Sequence, residues 1–150
     1  MNDLQSVRSA IENLFADQRL AVLSTCGADG HPYASLVCVV AEADLSGIHF
    51  ATTRATRKFA NLSAEPRAAL LVENSRNRQS DIYEAMAVTA VGTVQEVDGA
   101  AAETTRELYR QRHPQLEAFV KAPSTALLRL AVRTYYYVNR FQKVMEYHVG

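Results

Sequence analysis

Residues 51–58 read Ala-Thr-Thr-Arg-Ala-Thr-Arg-Lys, and they join a short strand-like run to the start of a predicted helix. This segment brings hydroxyl groups, cations and the free N–H groups of a helix start to one place, which suits a dianionic phosphate. Cations in a first turn oppose the helix dipole, and a bound anion would explain them. The alternative is an ordinary capped helix with a solvated basic first turn.

The bulk composition predicts one soluble domain over residues 1–150, with 48% apolar and 21% charged residues. A formal net charge of zero argues against nucleic-acid binding through a global basic field. The polar start lacks the apolar segment of a signal peptide, and no run of about 18 apolar residues is present to span a membrane. Cys26 and Cys38 have no metal-ligand spacing, so we expect reduced thiols in a cytoplasmic protein.

Hydrophobic periodicity predicts a mainly β chain with flanking helices. Helices are predicted over residues 3–16, 57–64, 100–112 and 114–121. Strands are predicted over residues 20–26, 33–41, 47–52, 68–72, 86–97, 127–139 and 142–149. Gly92 marks a bend or bulge in the longest of the earlier strands. Because most strands are joined by turns rather than by crossover helices, the pattern indicates a closed or nearly closed antiparallel barrel with peripheral helices.

Five short motifs follow one another along the chain in a recognisable order. They are Asp-Gly-His-Pro at 29–32, Ala-Ser-Leu-Val at 34–37, the segment 51–58, Asn-Leu-Ser-Ala-Glu-Pro at 61–66 and Ala-Leu-Leu-Val at 69–72. In this order they resemble the FMN-binding split-barrel family, which is named after pyridoxamine 5′-phosphate oxidase. The resemblance covers residues 18–97 well and the remainder in its general layout. It implies an antiparallel split β-barrel and a homodimer that binds FMN at the subunit interface, beside a small-molecule substrate.

The resemblance also implies which residues hold the cofactor. The phosphate would meet Thr52, Thr56, Arg57 and Lys58, with Thr53 as a neighbour, and the chemistry of these donors and cations agrees with a charge near −2. The flavin ring would lie along a second set of residues, Ser35, Leu36 and Val37. Without the resemblance, plain barrel core is the favoured explanation of that strand.

The chain departs from the oxidase itself at several positions. Ser35 and Val40 stand where the oxidase has an arginine and a lysine, and Ala87 stands where it has a glutamine. The chain has no tryptophan, and no counterpart of the oxidase's C-terminal binding segment. It is therefore predicted to be a shorter relative, an FMN-binding oxidoreductase of unassigned substrate. No catalytic residue is predicted, because hydride transfer to a flavin needs no acid or base in principle.

A long polar loop over residues 73–81 is a further candidate for binding. Asn74 directly follows a barrel strand and would donate to flavin or phosphate. Arg76 and Arg78 would reach an anionic substrate or the partner subunit's phosphate site. The alternative is a solvated basic loop.

Three other readings stay open at the level of sequence. A haem-binding or haem-degrading split barrel would use His148 as an axial ligand. A non-catalytic flavin-binding module would show no turnover, and a deazaflavin-dependent reductase would retain a different cofactor. The four histidines have no metal-ligand spacing, so no metal site is predicted, and His49 is expected to pack rather than to ligate.

Overall fold

The computed structural model describes residues 3–139 and 143–150, and these form a curled, mainly antiparallel sheet with a few flanking helices. In chain order the elements are α1 (Asp3–Asp17), β1 (Leu20–Cys26), β2 (Pro32–Cys38), β3 (Val40–Ala41), β4 (Gly47–Thr53), α2 (Arg57–Ala64), β5 (Arg67–Glu73), α3 (Asp81–Glu84), β6 (Ala87–Glu96), α4 (Gly99–Arg112), a 3-10 turn (Pro114–Leu116), α5 (Glu117–Lys121), β7 (Thr125–Asn139) and β8 (Lys143–His148). The predicted split antiparallel barrel is confirmed.

The sheet has the strand order β2-β1-β5-β6-β7-β4-β3, and all neighbouring strands are antiparallel. The long strand β7 pairs with β6 along one side. On its other side, β4 pairs with its first half and β8 with its second half. The chain thus curls back on itself, and β2 and β4 come to lie beside each other without pairing.

The predicted strand over residues 33–41 is two strands, because the ladder is interrupted at Val39. The Val39 N–H donates to the Arg19 carbonyl at 3.1 Å. The carbonyls of Cys38 and Val39 accept hydrogen bonds from Tyr109 of α4 and from His113, which caps the end of that helix. These carbonyl groups, which in a continuous strand would pair with a neighbouring strand, therefore accept hydrogen bonds from a distant part of the chain.

The bulge predicted at Gly92 is confirmed. Pairing between β6 and β7 shifts register there, since Val91 pairs with Thr134 whereas Gly92 pairs with Val132. A Cβ atom on Gly92 would overlap the carbonyl group of Ala131, with the carbonyl carbon only 2.8 Å away. The two backbones can approach this closely because glycine has no side chain.

The main core fills the inside of the curled sheet and is closed by α1. The helix buries Val7, Ile11, Leu14 and Phe15, whereas Leu4, near its start, is 61% exposed. A second, smaller core lies outside the sheet, where α4 and α5 cover β3, β4 and β7. Its buried members are Val40, Ala102, Tyr109, Val120 and Leu127.

Other differences from the sequence prediction are local. The loop after β5 ends in the unpredicted turn of helix α3, because the Asp81 carboxylate accepts the backbone N–H groups of Arg76 and Arg78 at 2.8 Å each. The predicted start of the last strand at Gln142 lies outside the described residues, and β8 is observed from Lys143. None of the described helices combines the length and the apolar character needed to cross a lipid bilayer.

Candidate functional site

The barrel is split between β2 and β4, and the split exposes two strand edges. Within the described residues, β2 pairs only with β1, and residues 50–53 of β4 pair only with β7. Backbone N–H and C=O groups along such edges need hydrogen-bond partners. The split therefore offers a ligand two facing rows of backbone donors and acceptors.

A cleft of about 300 Å³ lies in this split. Its lining consists of Leu36, Val37, Cys38, Ala51, Thr52, Thr53, Thr56, Lys58, Tyr109, Leu116 and Phe119. Apolar and aromatic side chains form most of one part, and three threonines with one lysine form the other. Such a cleft suits an amphipathic ligand with an apolar body and an anionic end.

The polar end of the cleft is organised by Thr52 and Thr56. Their Oγ1 atoms lie 2.7 Å apart, and each is also within hydrogen-bond distance of the Thr53 carbonyl. Thr56 is the N-cap of α2, and its Oγ1 accepts the N–H of Phe59 at 3.3 Å. The remaining N–H groups of the first turn have no acceptor inside a helix. Hydroxyls and free N–H groups thus lie at one corner, and binding of an anion there stays a prediction.

The three cations of the 51–58 segment lie in different places. Lys58 lines the cleft. The guanidinium of Arg57 lies 5.7 Å from the centre of the Tyr33 ring, and Arg57 is exposed. Arg54 forms an ion pair with Glu96 at 2.7 Å. Of the two cations predicted to meet the phosphate, the structure brings Lys58 into the cleft and leaves Arg57 outside its lining.

The predicted ring-binding residues alternate across β2. Val37 is buried and Leu36 is 64% exposed, and both line the cleft. Ser35 does not line it, and its Oγ is buried without a hydrogen-bond partner among the described atoms. The strand therefore presents two of the three predicted side chains to the cleft.

Asn74 lies apart from the cleft, at the base of the loop after β5. Its Oδ1 accepts the Met86 N–H at 2.7 Å, and its own N–H donates to the Met86 carbonyl at 3.1 Å. With Arg76 and Arg78 it lines a separate polar basin of about 650 Å³. In the described structure, this loop does not line the cleft between β2 and β4.

Sequence reasoning missed the helical side of the cleft, which consists of Tyr109, Leu116 and Phe119. The pattern over residues 99–121 predicts helices with one wet face, and this is what α4 and α5 show. The aromatic residues Tyr109 and Phe119 were the feature of the sequence that could have indicated this side of the cleft. Nothing local indicates that their buried face lies over the split, because that depends on how the helices pack against strands more than fifty residues earlier.

A buried polar network lies beside the cleft, behind β4. The imidazole of His49 is 4% exposed, and it bonds the Glu42 carboxylate through Nε2 at 2.6 Å and the Thr105 hydroxyl through Nδ1 at 2.8 Å. Glu42 also accepts two hydrogen bonds from Arg129 at 2.6 and 3.0 Å. The Arg129 bonds, helped by those of His49, lower the pKa of Glu42 to about 2. His49 is packed in the protein interior, as expected, and its burial lowers the pKa of the imidazole.

Replacing Glu42 by glutamine should destabilise the fold by about 2 kcal/mol, because Arg129 and His49 would lose their charged partner in a partly buried site. The folded pKa of Glu42, about 2, lies below its ordinary value of 4.5. The stabilisation is therefore complete above pH 4.5 and is lost as the pH falls towards 2. Urea unfolding from pH 7 to pH 3 would measure this, and Glu42→Gln should flatten the acid limb. The exposed Arg8–Glu12 pair provides a control, since Glu12→Gln should leave the stability nearly unchanged. An acid limb as steep as that of the unsubstituted protein would contradict the assignment.

His148 is exposed on β8, where Nε2 lies 3.1 Å from Glu146 and Nδ1 lies 3.1 Å from the Thr134 hydroxyl. It does not line the cleft. Across residues 3–139 and 143–150, no group of three or more histidine, cysteine or acidic side chains is placed to hold a metal ion. Cys26 and Cys38 are both free thiols.

Comparison with solved structures shows the same fold in several proteins of low sequence identity. A haem-binding protein from Mycobacterium smegmatis superposes with a TM-score of 0.80 at 16% identity, over 90% of this chain and 55% of that protein. The haem storage protein HutZ from Vibrio cholerae gives a TM-score of 0.68 at 16% identity, over 83% of this chain and 89% of that one. General Stress Protein 26 from Bacillus anthracis gives a TM-score of 0.73 at 16% identity, over 95% of this chain and 98% of that protein. This chain spans little more than half of the first of these proteins.

The search against curated proteins finds no match in sequence. A family model described as pyridoxamine 5′-phosphate oxidase, in contrast, matches residues 7–139, which include both edges of the split and the whole segment from β4 into α2. The resemblance read from the motifs is thereby confirmed, and the chain belongs to the pyridoxamine 5′-phosphate oxidase family.

Proposed function

We propose that this protein is a homodimeric cytoplasmic flavoprotein, which binds FMN in the cleft between β2 and β4 and acts as an oxidoreductase on a small-molecule substrate. The observation that carries the proposal is the composition of the cleft. One continuous space joins a corner of hydroxyls, free N–H groups and an ammonium to an apolar, aromatic wall. FMN combines a dianionic phosphate with a flat, largely apolar ring system, and it matches both parts.

The phosphate would be held by Thr52, Thr56 and Lys58, with Thr53 beside them and with the first-turn N–H groups of α2. The hydroxyl of Thr52 bonds that of Thr56, so a phosphate oxygen would replace a neutral partner by a charged acceptor, which makes a stronger bond. Arg57 would add long-range attraction from outside the cleft. The hydroxyls, the N–H groups and the ammonium are the kinds of donor that bind a phosphate.

The ring would lie along β2, against Leu36 and Val37, with Leu116 and Phe119 on the helical side. The unpaired edges of β2 and β4 would bond the polar rim of the ring. When bound, FMN supplies the hydride or electron transfer, and the protein binds the cofactor, orients it and excludes water.

A second copy of the chain would complete the site. The cleft, at about 300 Å³, lies at the lower limit for a ligand site. The strand register places one row of side chains across the sheet, on the face turned away from the core. This row consists of Leu36, Val22, Leu71, Thr89 and Tyr136. Leu36 belongs both to this row and to the cleft. A partner that covers the apolar row would therefore also cover the open side of the cleft, as expected for family members, which are typically dimeric. The two free thiols support the cytoplasmic assignment.

The test is an absorbance spectrum of the freshly purified protein, followed by titration of FMN fluorescence and measurement of the molar mass by light scattering. We expect visible flavin bands or saturable quenching at micromolar FMN, on a species with twice the mass of one chain. Oxidation of NADH or NADPH by the loaded protein would then support the oxidoreductase assignment over a non-catalytic flavin module. No response to FMN would remove the proposal.

A second candidate function is haem binding, which is favoured by the shared fold with two haem proteins. Here the exposed imidazole of His148 on β8 is the candidate ligand. Haem titration should then produce a Soret band, and His148→Ala should abolish or shift it. The matched control is His31→Ala, which removes an imidazole that is likewise exposed and paired with a carboxylate. Equal spectra for both variants would contradict a ligand role for His148.

A further inference from the structure

Three buried side chains, two from α4 and one from its C-cap residue His113, hold the helix across the split of the barrel. Thr105, Tyr109 and His113 are spaced four residues apart, so they share one face of the helix, and each is at most 1% exposed. Thr105 bonds His49 of β4 at 2.8 Å. Tyr109 and His113 bond the other side of the split, at the carbonyls of Cys38 and Val39, at 2.6 and 2.9 Å. Helix α4 thus connects two strands that do not pair with each other.

Tyr109 is the member of this row that reaches the cleft. Its hydroxyl donates to the Cys38 carbonyl on the edge of β2. The backbone N–H of Ala51, on the facing edge of β4, bonds the same hydroxyl. Tyr109, Cys38 and Ala51 all line the cleft, and Tyr109, at 1% exposure, is the least exposed of the lining residues. Burial raises the pKa of the phenol well above its ordinary value, so the hydroxyl keeps its proton and remains a donor.

We infer that Tyr109 is the inner stop of the cleft, a positioning residue whose hydroxyl bridges the two strand edges, fixes their separation and limits how far a flat ligand enters. The bridge uses the Cys38 carbonyl and the Ala51 N–H, so a bound ring finds its backbone partners only on the outer side of Tyr109. The part of this inference that concerns a flavin ring rests on the proposed function. The bridge itself is a property of the protein alone and can be tested without a cofactor.

Cys38 provides a reporter for the bridge, because it lines the cleft and its backbone carbonyl accepts the hydrogen bond of the Tyr109 hydroxyl. In a Cys26→Ser background, the rate of Cys38 labelling by a disulfide reagent would be compared for Tyr109 and Tyr109→Phe. We expect labelling to accelerate about tenfold, the factor that corresponds to the loss of one hydrogen bond of about 1.4 kcal/mol. The control is Thr105→Val, which removes a bond of the same helix face outside the cleft. An unchanged rate in Tyr109→Phe, or an equal increase in Thr105→Val, would overturn the inference.

Amide hydrogen exchange in the unsubstituted protein is a second test, which does not depend on how well a variant folds. Because N–H groups alternate between the two edges of a strand, those of Ala51 and Thr53 both point towards the split. The Ala51 amide should exchange at least about tenfold more slowly than that of Thr53, since Tyr109 bonds only the former. Equal exchange of the two amides would overturn the bridge.

FMN titration then separates this inference from the proposed function. If the protein binds FMN, Tyr109→Phe should weaken binding about tenfold and shift the flavin absorbance bands, whereas Thr105→Val should leave both unchanged. Equal binding and identical spectra in Tyr109→Phe would overturn the positioning role. If no form of the protein binds FMN while the thiol and exchange results hold, the proposed function fails and Tyr109 remains the stop of a cleft for another ligand.

Discussion

Gly92→Ala is expected to destabilise the protein by roughly 3 kcal/mol, which lowers the melting temperature of a chain of this size by about 10 °C. A Cβ at this position would overlap the Ala131 carbonyl and would lie 3.1 Å from the Cα of Val132. These are backbone atoms of β7, the strand that pairs with β6, β4 and β8. They cannot move aside as a side chain would, so the bulge between β6 and β7 must open. Thermal and urea unfolding would measure the loss.

A second glycine offers a matched control for this substitution. Gly30 has a positive φ of 83° in the turn between β1 and β2, and a Cβ there would meet no atom within 4 Å. Gly30→Ala should therefore cost only about 1 kcal/mol, through backbone strain rather than overlap. If Gly92→Ala were no more harmful than Gly30→Ala, the close approach of β6 and β7 would not be the reason for glycine in the bulge.

Lys58→Ala is expected to weaken FMN binding by roughly 10- to 100-fold, the range for loss of one charged hydrogen bond of about 1.5–3 kcal/mol. Lys58 is the one cation of the 51–58 segment that lines the cleft, and it is partly buried there. Its ammonium would meet the phosphate together with the hydroxyls of Thr52 and Thr56. Fluorescence titration at fixed ionic strength would measure the change, and higher salt should reduce the difference between the two proteins.

The adjacent residue serves as the control for charge alone. Arg57→Ala removes the same formal charge from the same helical turn, but its guanidinium lies over the exposed ring of Tyr33, outside the cleft. We expect a loss of affinity of only about two- to threefold, from screened long-range attraction. A larger effect of Arg57→Ala than of Lys58→Ala would show that the phosphate sits on the outer side of α2.

The strands were predictable to within a few residues because their signals are local. Alternation of apolar side chains and dense turn residues marked β1, β2, β4 and β5, and Gly92 marked the bulge between β6 and β7. The cap at Thr56 and the hydroxyl corner were also predictable, since both depend on residues within one turn of each other. The break at Val39 was not predictable, because the groups that cause it lie on α4 and before β1.

The sequence by itself determined an antiparallel barrel and a segment with the composition of a phosphate site. Both follow from short-range rules, namely the twofold alternation of strands and the free N–H groups at a helix start. Only the tertiary structure decided that Lys58 and not Arg57 lines the cleft, that Asn74 lies in a separate basin, and that Tyr109 bridges the split. The direction of each of these side chains is set by packing against residues far away along the chain, and periodicity within a segment carries no information about that packing.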